Sequence, residues 1–543
     1  MGDFLDAAAA EKAGIIEARM GSSAPLPFGA FLGSPALPSQ ARITGLEYDS
    51  RQAGAGSLYF ALPGLHVDGH DYAADAANRG AAAVVHQKDL SEYREGVLYL
   101  RAKDSRFAMS PIADAFYDFP SSRMGIIGVT GTEGKSTTVA LIYQLLKLLG
   151  KKTGFISTVQ HGDGICERWN SEHQTTPEAA VIHRLLAQMR ENGAEFVVLE
   201  SSSHGLSKRT NRLGDVSFDV GIMTNVTHDH LEFHGTWEQY RSDKAELFRS
   251  LGSSPSREKK VGASEGLPLP TFGVVNADDP SADYFAAATK YKTYRFSTKG
   301  AKADLSLRLV ENGSCGNWYE VFVESTGSTL TLRDQLPGAF NVGNVLAALL
   351  AVSNLLSIKV EDMADIVAQL QPVRGRMTAI RQGQPFEVMI DYAHTPSSFE
   401  AVLPPLRDRL GASGKLICLF GSPGERDTQK RPLQGEVAAR FSDIVILADE
   451  DPRGEDPMAI LEEIASGCDA GGKLKRGETL LLIPDRAAAI RKAFSFAQEG
   501  DIVILLGKGH ENSIIYADKT ISYDEIKEAQ TALEEAGYPL GSS

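Results

Sequence analysis

The segment MGIIGVTGTEGKSTTVALIYQLLKLLG, residues 124–150, constrains this chain more than any other. Its apolar, β-branched start predicts a strand, its glycines a loop, and its final apolar-periodic stretch a helix. A loop of this kind ending in Lys135-Ser136 turns backbone N–H groups and the positive end of a helix toward an anion. Lys135 would reach the β- and γ-phosphates of ATP or GTP and Ser136 would ligate Mg²⁺. Gly128, Thr130, Gly131, Thr132, Gly134 and Thr137 complete the cradle. The spacing departs from G-x-x-x-x-G-K-[ST], because Val129 stands at the first glycine position and Gly128 lies one residue earlier. The competing reading is a glycine turn that only joins strand to helix.

The 543 residues exceed what one core usually holds. The reading is α/β throughout, in three domains: 1–121, 122–372 and 373–543. Residues 3–20 read as a helical extension and 43–85 as a small α/β module. In the central domain EFVVLESSS and FDVGIMTNVT follow the phosphate loop with helical stretches between them, the alternation of a mostly parallel sheet. Residues 250–268 read as a surface insertion without chemistry. QPVRGRM breaks a helical region near residue 373. Beyond it FEVMIDYA, KLICLFG, DIVILAD, TLLLIPD and DIVILLG form a second, Rossmann-like doubly wound unit.

Composition removes several function classes. Lys+Arg 55 against Asp+Glu 70 leaves a net charge of −15, which repels nucleic acid and anionic membranes. The four cysteines show no C-x-x-C spacing, against a metal cluster or disulfide framework. No apolar run approaches the roughly 18 residues of a membrane helix, and the N-terminus lacks a signal peptide's pattern. Met1-Gly2 is not read as a myristoylation signal, because Asp6 stands where that motif wants Ser or Thr. A cytoplasmic monomer with no nucleic-acid or membrane partner is expected.

Two clusters join the phosphate loop. Glu200 and His204 end the apolar strand of LESSSHG, at the edge where open α/β sheets bind ligands. Asp229, His230, Glu232 and His234 crowd after another strand end, with Lys244 on the next helical stretch. Hard Mg²⁺ takes oxygens and at most an imidazole, which makes Glu200 and His230 candidate ligands. Taken singly, such residues also serve as caps and turn formers, and Lys244 reads as a surface lysine.

These motifs together resemble those of the Mur ligases, cytoplasmic enzymes that build the peptidoglycan precursor by ATP-dependent amide formation. The resemblance spans about residue 40 to about residue 515 and implies addition of a diamino acid to UDP-N-acetylmuramoyl-L-alanyl-D-glutamate. It implies that Asp49–Arg51 and Asp68–His70 belong to the UDP-sugar module, with Ser50 near the uridine. Thr175, Thr176, Ser202 and an arginine after the SSHG segment would hold the muramoyl-dipeptide. The arginine is taken as Arg212 rather than Arg209, because the stretch is longer than the family spacing. The resemblance also makes Lys244 a lysine that reacts with CO₂, its carbamate joining Ser136, Glu200 and His230 around two Mg²⁺ ions. An ordinary lysine pKa is about 10.4, so the amine must first be held neutral.

Further along, the resemblance gives Asn341 and Asn344 to adenine, Arg376 to the γ-phosphate and Asp391, in a motif shared with His394, to the ribose. Helix capping, a linker ion pair and a strand-end turn are the competing readings. GSPGERDTQKRP, EDPR and GKGHE resemble the amino-acid pocket. Arg426 would pair with the α-carboxylate, Gly507 and Glu511 hold the amino end, and Asp451 and Arg453 face the distal end. Arg453 favours a distal carboxylate and Asp451 a bare ammonium, so meso-diaminopimelate, lysine and ornithine all stay open. The expected reaction runs through an acyl phosphate, with catalysis by Lys135, Lys244, His230 and Arg376 and closure of the three domains. Folylpolyglutamate synthetase, which lacks a UDP-sugar module, is the alternative. Glu133 near ATP is electrostatically awkward unless its side chain turns to solvent.

Overall fold

The computed structural model describes residues 7–32, 43–64, 67–170, 175–227, 231–253, 269–313, 316–411, 413–470 and 472–539. Three large sheets of 6, 11 and 6 strands follow one another along the chain. The first runs Leu26–Pro27, Ile15–Met20, Leu98–Ala102, Ala83–His86, Ser57–Phe60, Gly45–Glu47 in spatial order. Its last four strands are parallel. Of the helix expected over 3–20, only Ala7–Lys12 is helical among the described residues. Gly14, at φ +66°, reverses the chain, and Ile15–Met20 pairs antiparallel with Leu98–Ala102, burying Ile15 and Ala18.

The central sheet runs Glu167–Trp169, Gln160–Gly162, Thr153–Ile156, Phe196–Glu200, Gly125–Thr130, Val220–Met223, Phe272–Asn276, Thr293–Ser297, Leu305–Gly313, Gly316–Val323, Ser328–Arg333. From Thr153–Ile156 to Leu305–Gly313 every pairing is parallel. Such strands are covered on both faces and read as continuous apolar runs. Accordingly Ile127 and Val129 pack into one core and Ile126 into the opposite one, all fully buried. Truncating Ile127 to Ala would cost about 2–5 kcal/mol.

The third sheet runs Thr378–Ile380, Glu387–Asp391, Ile502–Leu506, Leu416–Phe420, Ile444–Leu447, Leu480–Leu482, parallel after its first pair. Gly125–Thr130 lies between Phe196–Glu200 and Val220–Met223, so the loops leaving these three strands meet at one carboxyl edge. That is where doubly wound sheets bind ligands. The corresponding edge of the third sheet faces it. Gln144 and Gln371 exchange hydrogen bonds of 2.8 and 3.1 Å and fix the end of the central domain, where the chain leaves for the C-terminal one. Arg374 stacks 5.0 Å over Trp169 and pairs with Asp524 at 2.7 Å. Among the described residues no single helix is long and apolar enough to cross a membrane. Residues 254–268 of the expected insertion lie outside the described residues.

Candidate active site

The loop Gly131–Gly134 turns the strand Gly125–Thr130 into the helix Lys135–Leu148. Gly131 and Gly134 have φ of +155° and +80°, and a Cβ on either would lie 1.9 Å from Thr224 Oγ1 or 2.5 Å from Asn344 Oδ1. Only glycine fits there. Lys135 Nζ donates to Thr132 O at 2.7 Å. Ser136 Oγ donates to Glu200 Oε1 at 3.0 Å and accepts from Arg376 Nη2 at 3.0 Å. One hydroxyl thus joins the phosphate loop, a strand-end carboxylate and an arginine of the C-terminal domain.

Thr132, Gly134, Lys135, Ser136 and Thr137 line a cavity of about 320 Å³ between the two domains. Two assigned cradle residues stand back from the cavity wall. Gly128 lies inside the strand, where a Cβ would meet Leu247 at 2.5 Å and Phe218 at 2.8 Å, so its smallness admits packing. Thr130 ends the strand, fully buried, and also stays off the cavity wall.

Glu200 is 3% exposed, and its second oxygen accepts the Thr158 N–H at 2.7 Å. Lys244, on the helix Trp237–Arg249, is not a surface lysine: it is 2% exposed, donates to Gly131 O at 2.5 Å and lies 4.4 Å over the Tyr240 ring. The neighbouring Asp243 meets His234 Nδ1 at 2.7 Å, and His234 Nε2 meets Ser203 Oγ at 3.0 Å. His204 stacks on Phe233 at 4.1 Å. Asp229, His230 and the Glu232 side chain lie outside the described residues. Among the described residues no three His, Cys, Asp or Glu groups gather as a metal site by themselves. Oxygens suited to a hard cation are supplied by Ser136 and Glu200, which lie 3.0 Å apart.

From the helix Phe340–Leu356, Asn344 Nδ2 donates to Asn341 Oδ1 at 2.9 Å, and Asn344 Oδ1 accepts from Thr138 at 3.2 Å. The pair therefore braces the phosphate-loop helix while lining the cavity. Asp391 accepts the N–H groups of Met377 at 2.8 Å and Ala393 at 2.7 Å, fixing the turn that carries Arg376. Burial raises its pKa against the opposing charge of Arg376. His394 Nδ1 is 2.9 Å from the Tyr392 carbonyl. Glu133 Oε1 accepts from Thr395 Oγ1 at 3.0 Å, so this carboxylate meets the C-terminal domain and does not simply turn to solvent.

Arg426, Asp451, Arg453 and Glu511 line the far end of the same cavity. Asp451 Oδ1 accepts from Lys508 Nζ and from the Ile515 N–H, both at 3.0 Å. Glu511 takes Lys508 Nζ at 2.5 Å on one oxygen and Tyr392 OH at 3.0 Å on the other. Lys508, wholly buried, is a residue that sequence reasoning missed. Its only signal is a cation set directly after a buried strand in GKGHE. Gly507, at φ +97°, does not line the cavity but lets Glu450 close in, since a Cβ there would lie 2.6 Å from Glu450 Oε2. Burial pushes the Glu450 pKa up to about 7.

Three family models match the chain: the Mur ligase family catalytic domain over residues 42–117, the Mur ligase middle domain over 129–352, and the Mur ligase glutamate ligase domain over 375–509. The UDP-N-acetylmuramyl-tripeptide synthetase of Treponema denticola is 48% identical over 511 residues, covering 90% of this chain and 94% of the relative. The chain belongs to the Mur ligase family. The UDP-N-acetylmuramoyl-L-alanyl-D-glutamate--2,6-diaminopimelate ligase of Geobacillus kaustophilus is 39% identical, with 91% and 96% covered. A solved structure of a ligase of that name superposes with TM-score 0.57 at 28% identity, covering 91% and 95%. A Mycobacterium tuberculosis folylpolyglutamate synthase, at 15% identity and TM-score 0.57 over 73% of this chain, shares the fold.

In this Mur ligase the residues expected at the UDP-sugar end divide into two groups. Thr176 Oγ1 donates to Glu200 O at 3.0 Å and accepts from Ser202 Oγ at 2.9 Å, and Ser202 Oγ caps Gly205 N at 3.1 Å. Arg212 donates to Thr176 O and Glu178 Oε1, both at 2.8 Å, whereas Arg209 reaches Phe233 O. Arg106 of the N-terminal domain reaches the same Glu178 oxygen at 2.7 Å. Glu178 and Arg106, absent from the motif reading, thus tie the two domains beside the cavity that Thr175 lines. In the N-terminal sheet, Ser50 is buried next to the Asp49–Arg51 pair. The His70 ring bonds on both sides, to Asp68 at 2.6 Å and to the Gln87 N–H at 3.1 Å. Asp68-Gly69-His70 is therefore a turn tied to Gln87 and, through Asp68, to Lys88 at 2.6 Å.

Proposed function

We propose that this ligase joins a diamino acid (lysine, ornithine or meso-diaminopimelate) to the D-glutamate of UDP-N-acetylmuramoyl-L-alanyl-D-glutamate in the cytoplasm, a step that serves cell shape and division. Family membership makes it an ATP-dependent, amide-bond-forming ligase of peptidoglycan synthesis. The observation that carries the reading is the Ser136 hydroxyl, within 3.0 Å of both Glu200 and Arg376, because it joins a nucleotide-binding edge to a second domain's arginine.

The γ-carboxylate of D-glutamate attacks the γ-phosphorus of ATP, and ADP leaves with the electron pair of the broken bond. Lys135 and Arg376 spread the charge that develops on the transferring oxygens. Mg²⁺ held by Ser136 and Glu200, with His230 and Lys244 as its carbamate, would neutralise the phosphates. Asn341 and Asn344 sit toward the adenine and Asp391 holds the turn of Arg376. Thr175, Thr176, Ser202 and Arg212 orient the dipeptide, and Ser50 contacts the uridine. Arg426 holds the α-carboxylate of the incoming amino acid, whose neutral amine attacks the acyl carbon and expels phosphate.

ADP formation measured with Mg²⁺, the UDP-dipeptide and each diamino acid in turn tests this. One amino acid should give ADP and tripeptide in equal amounts, and Lys135→Met should lower kcat at least about 10²-fold. ADP formation with a folate and glutamate, but with none of the diamino acids, would overturn it.

A further inference from the structure

We propose that Lys508 is the built-in counter-ion that sets which charge the amino-acid pocket accepts at the distal end of its substrate. The inference rests on the function proposed above. Lys508 follows the strand Ile502–Leu506, its side chain is 0% exposed, and its ammonium bridges Asp451 at 3.0 Å and Glu511 at 2.5 Å. The remaining contacts of those carboxylates are also internal: the Ile515 N–H on Asp451 and the Tyr392 hydroxyl on Glu511. Burial alone would lower the Lys508 pKa, but Glu511 and Asp451 raise it overall, so it stays a cation.

Two acids that line the cavity are therefore already engaged by the protein's own ammonium. A substrate ammonium that sought Asp451 would meet a carboxylate whose charge is spoken for. Arg453, on the same wall, keeps a buried Nε without a hydrogen-bond partner. Glu450 brings a third carboxyl group, with a buried oxygen that also lacks a partner. Removing the Lys508 charge would leave Glu450, Asp451 and Glu511 facing Arg453 with one cation fewer. The pocket would then draw a bare ammonium, as lysine and ornithine carry, and repel the distal carboxylate of meso-diaminopimelate. Lys508 is on this account a positioning residue, since it acts through Asp451 and Glu511 without touching the amino acid.

The test compares kcat/KM for lysine, ornithine and meso-diaminopimelate in the wild type, K508R, K508M and the double variant D451N/K508M, each checked for folding by circular dichroism. K508R should keep the wild-type order of preference. K508M should shift the ratio of lysine or ornithine to meso-diaminopimelate at least tenfold toward the basic amino acids, and D451N in that background should return most of the shift. Equal loss for all three amino acids in folded K508M would overturn the assignment. If K508M fails to fold, D451N alone is measured in the same way: its ratio should shift toward meso-diaminopimelate, and an unshifted ratio would overturn the assignment. Wild-type turnover of none of the three would instead remove the proposed function, and the assignment with it.

Discussion

Glu133 puts a carboxylate inside a loop built to hold phosphate. A unit charge about 10 Å from another at an effective dielectric constant of about 40 costs roughly 0.8 kcal/mol. Thr395 engages that carboxylate at 3.0 Å from the facing domain, so the repulsion coexists with a contact that draws the domains together. Glu133→Gln keeps an acceptor for Thr395 and removes the charge. It should lower the KM for ATP about threefold to tenfold with little change in kcat, and an unchanged or higher KM in steady-state kinetics would count against this role. The phosphate loop was legible in the sequence because strand, glycines and Lys-Ser pair are contiguous. The partner of Glu133 was not, because Thr395 lies in another domain, and Lys508 was not, because Asp451, the counter-charge that turns it toward the pocket, comes from a distant segment.

The helices Ser105–Phe116 and Ala179–Glu191 pack the N-terminal domain onto the central one and bury Asp114 against His183. Asp114 Oδ1 and His183 Nδ1 stand 3.4 Å apart, and neither atom is hydrogen-bonded. Burial, with Asp215 nearby, pushes Asp114 up to about 7, and burial pushes His183 down to about 4. A carboxyl whose folded pKa is raised loses stability as pH rises from its unfolded value near 3.8 through about 7. The depressed His183 makes the opposite contribution between about 4 and 6.5, but it is present in both proteins when Asp114→Asn is compared with wild type. The variant should gain relative stability over that window, reaching a few kcal/mol above pH 7. A melting-temperature difference that stays constant from pH 4 to pH 8 would show that Asp114 is ionised in the folded protein.

Other elements divide similarly. The strands before the motifs were legible because parallel strands covered on both faces are unbroken apolar runs. The antiparallel hairpin Leu305–Val323 with Ser328–Arg333 went unread, although GNWYEVFV alternates buried and half-buried positions. The N-terminal stretch was misread because AAAAEKAG carries a helix signal past which Gly14 turns the chain.

For the whole molecule, the proposed function requires substrates held by three domains to meet above the Ser136 hydroxyl. Arg376 on Ser136, Thr395 on Glu133 and Arg374 on Trp169 already bridge the central and C-terminal domains. Closure over bound ligands should shrink the radius of gyration in small-angle scattering when a nonhydrolysable ATP analogue and the UDP-dipeptide are both added. A radius unchanged by the pair would remove closure from the account.

On the proposed function, a carboxylate takes phosphate from ATP before an amine takes the acyl group. This order is tested most directly by labelling the D-glutamate γ-carboxylate of the UDP-dipeptide with ¹⁸O and analysing the released phosphate by mass spectrometry. The account predicts one ¹⁸O per phosphate for each tripeptide formed. Phosphate free of label alongside labelled tripeptide would contradict it.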